Sequence, residues 1–471
     1  MAVLTVLRQG KRERISFEGS VILSDLLAEH GYFVPHPCGG RGTCKKCTVI
    51  FNGSPVLACR QRVFEDGEVV LPDREEIETV TGGEETGRLT AKHCLCLDIG
   101  TTTLALALVS LDEKKIVRTV TAPNPQRAFG ADVISRIDHC MKNGPREVQS
   151  VLLEGIRGLI ASLRASFGLT EDETLYVAGN TTMLHLFFGV DCSSLGTAPY
   201  TPVFLDTRIA TGESLDLPGI GSIVSLPGFS AFVGADIEAG MEYVGLPEAG
   251  KYRILLDLGT NAEIALYNHE KVLCTAAAAG PCFEGANISC GMSASPGAVC
   301  AVSEDGEVTV IGGGEATGIC ATGLVDAIAE GVRREEIDET GFLEDDPMTV
   351  SGSVALTGKD IREFQLAKSA IRAAIECLLR RVGIGYGDVD ALCVAGGFSA
   401  GLKVKNAVFV GLIPEELQEK FRGVNNASLL GTVKYACEGG TLHLPAESEY
   451  ADLSADPLFS ELFMEYMMFE G

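Results

Sequence analysis

Residues 94–110 read CLCLDIGTTTLALALVS, and this stretch decides the fold. An apolar strand ends in Asp98, and a turn containing Gly100 and three threonines leads directly back into a second apolar strand. Glycine allows a close approach of the backbone, and threonine hydroxyl and N–H groups donate to phosphate oxygens. A carboxylate at the end of a strand reaches a hydrated Mg²⁺. The pattern fits a phosphate-binding turn, and it also fits a plain hairpin turn in a core sheet.

The chain repeats this pattern at residues 254–267, which read ILLDLGTNAEIALY. Asp257 again ends an apolar strand, and a Gly-Thr turn again follows. Repeats of this length predict two copies of one α/β unit that face each other and grip one nucleotide from both sides. The flanking segments repeat as well. A third strand is predicted at residues 115–121 of the first copy and 271–277 of the second. An apolar strand that ends in a glycine turn is predicted at residues 176–183 and 393–400.

The composition is that of an ordinary globular chain of 471 residues, long enough for about three domains. We see no charged-then-apolar leader and no run near the ~20 apolar residues that span a bilayer, so we expect a cytoplasmic protein with no membrane partner. The net charge of −26 argues against nucleic acid as a partner. Sixteen cysteines favour a reducing compartment, with metal ligands or buried thiols rather than disulfides.

The first 71 residues predict a small α+β module, with strands at 3–7 and 13–17 and a short helix at 23–30. Its cysteines follow the spacing C-x5-C-x2-C-x11-C, and they are Cys38, Cys44, Cys47 and Cys59. Three thiolates close together on a glycine-rich loop, joined by a fourth from a later strand, suit a [2Fe–2S] cluster. Structural zinc also takes four cysteines, but its sites usually bring two C-x2-C pairs and this segment has one.

The rest of the chain divides by composition. Residues 72–92 are charged and have no apolar period, which predicts a linker. The duplicated core follows as residues 93–250 and 251–440, and the segment VGADIEAG at 233–240 is expected to close the first copy. Residues 441–471 are expected to pack on the core through a strand and a helix, the helix lying within the apolar run at 458–469.

Several residues are assigned to the core rather than to a site. His185 lies on the apolar face of a helix and is interpreted as a hydrogen-bonded core histidine. Cys282, Cys290 and Cys300 lack a tight ligand spacing and are interpreted as small buried residues. An amphipathic helix is predicted at residues 360–382, because apolar residues recur there with helical spacing before Gly383.

The N-terminal segment resembles the β-grasp ferredoxin family, and the duplicated core resembles the superfamily of actin, sugar kinases, acetate kinases and heat-shock chaperones. The combination resembles, more narrowly, the ATP-dependent reductive activators of corrinoid proteins. The fold class implied is α/β, a ferredoxin-like α+β domain followed by a duplicated ribonuclease-H-like ATPase core. The motifs that carry the resemblance are the four cysteines, DIGTTT at Asp98, NPQ at Asn124, FGADVISRI at Phe129, AGNTTM at Ala178, PGFSAFVGADI at Pro227, DLGTNAEI at Asp257, GPCFEGANISCGM at Gly280, DIREFQLAKSAIRAAI at Asp360 and AGGF at Ala395.

The resemblance implies one-electron reduction of an inert Co(II) corrinoid protein to the Co(I) form that is used for methyl transfer. Its cofactors would be a [2Fe–2S] cluster, ATP and Mg²⁺. A low-potential electron donor such as a ferredoxin, flavodoxin or reductase is implied, as is a homodimer. Two alternatives are an ATP-driven electron donor of the kind that activates 2-hydroxyacyl-CoA dehydratases, and a non-catalytic redox sensor whose conformation nucleotide sets.

Residue roles follow from the same resemblance. The four cysteines are carried over as cluster ligands. Asp98 and Asp257 are expected to position Mg²⁺ and its waters, and one of them or Glu263 is expected to assist attack on the γ-phosphate, although each Asp could instead cap its turn. The residues expected to bind nucleotide are Gly100, Thr101, Thr102, Thr103, Asn180, Thr181, Gly259, Thr260, Asn261 and Gly323, together with Gly396, Gly397 and Phe398 beside the adenosine.

Overall fold

The structure is a computed structural model. The residues that it describes are 2–8, 11–17, 19–30, 32, 34, 47–71, 92–130, 132–169, 172–259 and 261–469. The chain divides into two compact units, Met1–Pro227 and Gly228–Gly471. Apart from Lys92, the predicted linker lies outside the described residues. Within the described part of the chain, no helix combines the length and apolar character that crossing a bilayer requires.

The first unit begins with a small sheet whose strands have the order β2-β1-β7-β4-β5. Strands β1 and β2 form a hairpin, and β1 runs parallel to β7. Alternation along β1 turns Leu4 and Val6 inward, where they share a core with Leu27 of the helix. The predicted strands and helix of this module are confirmed. Its elements are β1 Ala2–Arg8, β2 Lys11–Phe17, β3 Val21–Ile22, α1 Leu23–Glu29, β4 Thr48–Phe51, β5 Ser54–Leu57, β6 Arg62–Val63 and β7 Gly67–Val70.

A six-stranded sheet follows in the same unit. The stretch that begins at residue 94 forms its central strand β8, which is apolar along its length because the sheet is covered on both faces. The elements are β8 His93–Ile99, β9 Thr103–Ser110, β10 Lys115–Pro123, α2 Val133–Asn143, α3 Arg146–Phe167, β11 Glu173–Gly179, α4 Thr181–Phe187, β12 Ile209–Thr211 and β13 Ile220–Ser225. The strand order is β10-β9-β8-β11-β13-β12.

The second unit contains a matching six-stranded sheet and a larger set of helices. Its elements are α5 Ala235–Val244, β14 Tyr252–Leu258, β15 Ala262–Tyr267, β16 Lys271–Ala277, β17 Ala298–Val302, β18 Val308–Val310, β19 Gly318–Ile319, α6 Ala321–Arg333, β20 Met348–Ser351, β21 Val354–Leu356, α7 Gly358–Val382, β22 Val389–Ala395, α8 Val404–Phe409, β23 Phe421–Val424, α9 Ala427–Cys437, β24 Glu447–Tyr450 and α10 Pro457–Glu465. The strand order is β23-β22-β14-β15-β16-β24.

The two large sheets share one arrangement of five strands, as the sequence repeat predicts, and their sixth strands, β12 and β24, lie at opposite edges of that arrangement. In each, an antiparallel meander of three strands lies beside a fourth strand that is parallel to the first. A glycine ends each fourth strand against the end of the first. A Cβ on Gly179 would lie 2.9 Å from the carbonyl oxygen of Ile99, and one on Gly396 would lie 2.8 Å from that of Leu258. Both turns therefore require glycine.

The segment before residue 250 packs with the second unit. Helix α5, which contains most of the segment expected to close the first copy, packs against α9, β14 and β15 of the second unit. Small residues permit this close approach. A Cβ on Gly240 would lie 2.8 Å from Leu255 Cδ2, and one on Gly431 would overlap the backbone of Ala239. Helix α5 therefore belongs to the compact unit that begins at Gly228.

The chain ends on the second unit. Strand β24 adds to the sheet parallel to β16, and α10 packs against α7. Helix α7 begins with a capping box between Thr357 and Asp360 and ends at Gly383, close to the predicted limits. Helix α10 ends at Glu465, within the apolar run at 458–469, and the buried Lys368 ammonium donates to two carbonyls beyond it. Those carbonyls belong to Tyr466 and Met468, at 2.7 and 2.6 Å.

Candidate functional site

The turn at residues 100–103 is tight; it and the turn at residues 259–261 are called the two phosphate-type turns, because the sequence predicts that they bind phosphate. The Gly100 N–H donates to the Thr103 carbonyl at 3.0 Å, and a Cβ on Gly100 would lie 2.7 Å from that oxygen. Glycine is therefore required here by close approach. Asp98 lies two residues earlier on β8, half-buried and in register with Ala178 of β11. The structure thus places the carboxylate and the turn together at the end of the central strand.

Two asparagines hold this turn in place by hydrogen bonds. Asn124 donates from Nδ2 to the Gly100 carbonyl and from its backbone N–H to the Thr102 carbonyl, both at 2.8 Å. Asn180 donates from Nδ2 to the Thr101 hydroxyl oxygen at 3.1 Å, while its Oδ1 caps α4. The motifs NPQ and AGNTTM are therefore joined to the turn. Asn180 is among the predicted residues, whereas Asn124 had no assigned role.

Arg136 is a third residue behind the turn, and the motif FGADVISRI contained it without a role. Its guanidinium is fully buried and donates from Nη2 to the Thr101 carbonyl at 2.5 Å. The sequence does not predict this contact, because Arg136 lies 35 positions after Thr101 and no local pattern links the two.

Thr181, predicted as a binding residue, lies in the first turn of α4, where it is buried.

The second turn resembles the first. The Gly259 N–H donates to the Asn261 carbonyl at 3.0 Å, and Asp257 on β14 lies opposite Glu263 on β15. Asp257 is also in register with Ala395, the residue before the glycine turn of β22. Thr260 lies outside the described residues. The structure therefore brings the predicted carboxylates of Asp257 and Glu263 together at the end of β14.

A third carboxylate joins this pair. Burial and the nearby carboxylates of Asp236 and Asp257 raise the pKa of Glu263 well above its usual range. Asp236 lies in the first turn of α5 and was not predicted. The signal that marks it is the repeated Gly-Ala-Asp, at residues 130–132 and 234–236, at the start of two helices. Carboxylate oxygens grouped in this way are the ligands that Mg²⁺ prefers.

The three predicted adenosine residues form a glycine turn and a packed aromatic ring, and Gly323, predicted as a further nucleotide residue, lies in a helix. Gly396 has φ +115°, and Gly397 has open space where a Cβ would lie. Phe398, by contrast, is 8 % exposed and stacks on Phe283 with ring centroids 5.3 Å apart. Gly323 is buried in α6, where a Cβ would overlap the Val299 carbonyl. The Phe398 ring and Gly323 are therefore packed among core residues, and their contact with nucleotide stays a prediction.

His185 is confirmed as a core histidine. Its Nε2 accepts the Val203 N–H at 3.0 Å, so Nδ1 carries the proton that reaches the Thr181 carbonyl at 2.7 Å. Burial lowers the pKa of this imidazole. Both ring nitrogens are thus used within the fold.

Two of the four predicted cluster cysteines lie within the described residues. Cys47 precedes β4 and Cys59 follows β5, and hydrogen bonding of the Ala58 N–H to the Cys47 carbonyl at 2.9 Å holds these segments together. Both thiols are buried, and their sulfur atoms are 3.2 Å apart. Cys38 and Cys44 lie outside the described residues. The structure therefore pairs the third and fourth cysteines of the motif.

Within the described part of the chain, Cys282, Cys290 and Cys300 belong to no group of metal-ligand type. Cys282 is buried as predicted, whereas Cys290 and Cys300 are only half-buried, which corrects their prediction as buried residues. Cys290 Sγ donates to the Ala355 carbonyl at 3.2 Å, and Cys300 Sγ donates to the Thr309 carbonyl at 3.5 Å. Burial raises the pKa of each of the three thiols.

One group of metal-ligand type occurs among the described residues, formed by Glu242, Glu438 and His443. The Lys434 ammonium already lies 2.9 Å from Glu242 Oε1, and His443 Nδ1 lies 2.9 Å from Glu438 Oε2. Hydrogen bonds from the His443 backbone and from Lys434 outweigh burial and lower the pKa of Glu242. This group is an ion-pair network that ties α5 to α9.

Comparison with protein-family models defines the class of this fold. Residues 251–471 match the model described as the C-terminal domain of RACo, the ASKHA domain. Residues 93–249 match the model of the RACo middle region. The second unit thus carries an ASKHA domain, the actin- and sugar-kinase-like class that the motifs imply.

Comparison with individual proteins narrows the class to a family. The chain is 31% identical over 448 residues to the corrinoid activation enzyme RamQ of Eubacterium limosum, covering 86% of this chain and 74% of that protein. It is 28% identical over 369 residues to the [Co(II) methylated amine-specific corrinoid protein] reductase of Methanosarcina barkeri, covering 68% of this chain and 65% of that protein. The solved structure of a reductive activator for corrinoid, iron-sulfur protein matches with a TM-score of 0.70 and 25% identity over 99% of this chain and 98% of that one. The chain belongs to the RACo family of corrinoid activation proteins.

Proposed function

We propose that this protein reactivates a corrinoid protein by ATP-dependent one-electron reduction of Co(II) to Co(I). The observation that carries the proposal is the 31% identity to a corrinoid activation enzyme over 448 residues. The joining of a cysteine pair to two phosphate-type turns in one chain supports it. A simple small-molecule kinase has no use for the cysteine module.

We assign Cys38, Cys44, Cys47 and Cys59 as the ligands of a [2Fe–2S] cluster. The buried thiols of Cys47 and Cys59 lie 3.2 Å apart, close enough for both to hold one cluster. When bound, such a cluster exchanges one electron at a time. We propose that a low-potential ferredoxin, flavodoxin or reductase supplies the electrons.

The nucleotide residues are assigned to the two turns. Asp98 and Asp257 position Mg²⁺, and Glu263 lies beside Asp257 to assist the attack on the γ-phosphate. Gly100, Thr101 and Thr102 bind phosphate in the first unit, as do Gly259, Thr260 and Asn261 in the second. When bound, Mg²⁺ would neutralise phosphate charge. Thr103, Asn180 and Thr181 keep the first turn in place. The backbone at Gly396 and Gly397 lies beside the adenosine.

ATP is needed because the Co(II)/Co(I) couple lies at a low potential. For one electron, each ~59 mV of mismatch costs a factor of ten in the equilibrium. Nucleotide moves that equilibrium only if it favours one state of the complex with the corrinoid protein over the other. We further propose that the protein acts as a homodimer, as the resemblance implies.

The test is anaerobic reduction of the Co(II) form of a corrinoid protein encoded near this chain, followed by visible absorbance with and without Mg-ATP. We expect Co(I) only with Mg-ATP, loss of Co(I) formation in Asp257→Ala, and full activity in Asp305→Ala, an exposed aspartate of the same unit. Absence of Co(I) in a protein that holds its cluster and binds ATP would contradict the proposal.

A further inference from the structure

We propose that Arg136 is a positioning residue for phosphate, which holds the turn at residues 100–103 with its N–H groups directed towards a bound phosphate and strengthens that binding with its buried charge. The inference rests on the proposed function only in taking a nucleotide as the ligand.

The placement of Arg136 is determined by helix α2. Asp132 caps this helix by accepting the Ser135 N–H at 2.7 Å, so Arg136 lies in its first turn. The side chain is fully buried. Its Nε donates to the Gly130 carbonyl at 3.1 Å, and Nη1 approaches Gln126 Oε1 at 3.4 Å. The planar fork is therefore held on two sides before its third nitrogen reaches the turn.

That third nitrogen completes a row of three bonds. Arg136 Nη2 donates to the Thr101 carbonyl at 2.5 Å, between the two carbonyls that Asn124 binds, those of Gly100 and Thr102. Three successive carbonyls of the turn thus accept hydrogen bonds from the scaffold. Asn180 holds the Thr101 hydroxyl as well. The central residue of the turn is consequently fixed through both its backbone and its side chain.

The peptide plane converts this anchoring into anion binding. In a trans peptide the carbonyl and the following N–H point in opposite directions. With the Gly100 and Thr101 carbonyls bound to the scaffold, the N–H groups of Thr101 and Thr102 face away from it. Backbone N–H groups directed to one side form a concave site for phosphate. Loss of the bond to Thr101 frees the second of these peptide planes to rotate.

The charge of Arg136 acts in the same direction. An arginine side chain stays protonated inside a protein, and a buried charge acts through a weaker dielectric than an exposed one. The guanidinium lies on the carbonyl side of the turn, so a phosphate on the N–H side would be attracted through one peptide unit. Adenosine without phosphate would experience neither effect. The contribution of Arg136 is therefore expected to depend on the phosphates of the ligand.

The experiment compares ATP and adenosine binding by calorimetry in the full chain. In Arg136→Met we expect the ATP dissociation constant to rise about 10- to 100-fold, the range for loss of a charged hydrogen bond. The adenosine dissociation constant should stay within about twofold. Arg136→Lys keeps the charge without the fork, and we expect it to recover part of the ATP affinity. The matched control is Arg157→Met on α3, whose side chain pairs with exposed Asp216 and should change neither constant.

Melting temperature distinguishes loss of fold from loss of positioning. If Arg136→Met fails to fold, Arg136→Lys alone carries the test, with a smaller rise for ATP and none for adenosine. An unchanged ratio of ATP to adenosine affinity in the folded variants overturns the proposal, and so does an equal loss for both ligands. A wild-type chain that binds no ATP overturns it together with the proposed function. A chain that binds ATP through Arg136 but reduces no corrinoid contradicts the proposed function alone.

Discussion

Arg253 and Asp390 form a buried two-point ion pair between strands β14 and β22. Nε lies 3.1 Å from Oδ1 and Nη2 lies 2.6 Å from Oδ2, with the side chains 8 % and 6 % exposed. The remaining nitrogen, Nη1, donates to the carbonyls of Val244 and Gly245 at 2.7 and 3.0 Å. The pair therefore ties the two central strands of the second unit to the end of α5, the helix whose first turn carries Asp236.

Breaking this pair on one side should be costly. In Asp390→Asn the guanidinium stays buried without its carboxylate, and we expect the free energy of unfolding to fall by about 3–5 kcal/mol. Urea unfolding monitored by circular dichroism measures this loss. The matched control is Asp216→Asn, since the Arg157–Asp216 pair is exposed at 33 % and 88 %. That change should cost less than about 1 kcal/mol, and similar losses in the two variants would contradict the argument.

The cysteine pair predicts a separable loss of the iron–sulfur group. In Cys59→Ser, one of the two adjacent sulfurs is removed, and we expect iron content and visible absorbance to fall to a small fraction of wild type. Nucleotide affinity should be unchanged, because both phosphate-type turns lie in other sheets. Cys300→Ser serves as the control, since its thiol lies in the second unit and donates to the Thr309 carbonyl. Full iron content in Cys59→Ser would show that this cysteine is not a ligand.

Asp236 is expected to matter for turnover more than for binding. Its carboxylate lies close enough to Glu263 to raise the pKa of that group, so Asp236→Asn removes a negative charge from the carboxylate group at the second turn. The lower pKa makes Glu263 a weaker base for the attack on the γ-phosphate, so ATP hydrolysis should fall, by at most the factor of about 10² to 10⁴ that an acid–base group contributes. ATP affinity should change by only a few fold. Phosphate release measures the rate, with Asp305→Asn as control, and wild-type turnover in Asp236→Asn would exclude the role.

Glu238 predicts a dependence of stability on pH. Burial, with a smaller contribution from the Glu242 carboxylate, raises the pKa of Glu238 from 4.5 to about 7. Between these values the folded chain holds a proton that the unfolded chain has lost, so wild-type stability falls as the pH rises. Glutamine carries no such proton. We expect Glu238→Gln to be more stable than wild type by about 1–3 kcal/mol at pH 8, with the gap closing towards pH 5. Thermal unfolding across this range measures the gap, and a gap independent of pH would contradict the assignment.

Much of the fold could be predicted because its signals are local. Strand β8, which contains Asp98, and the equivalent strand β14, which contains Asp257, are each marked by an apolar run followed by turn residues. Such runs and turn residues determine the backbone conformation within a few residues. The duplication followed from the same local pattern occurring twice. The four-cysteine spacing is a signal of the same kind, and the sulfurs of two of these cysteines, Cys47 and Cys59, lie 3.2 Å apart.

The repeat, the two turns and the family resemblance can therefore be predicted from local sequence patterns. Other features are seen only in the folded chain: Arg136 donates to the Thr101 carbonyl, Asp236 lies near Glu263, and the Phe398 ring stacks on Phe283. The packing of α5 in the second unit is a further one. Each of these facts is a contact between residues brought together by the closing of long loops, and burial at such a contact depends on the packing of the whole domain. A local pattern contains the turn, and the packed domain supplies the groups that hold it.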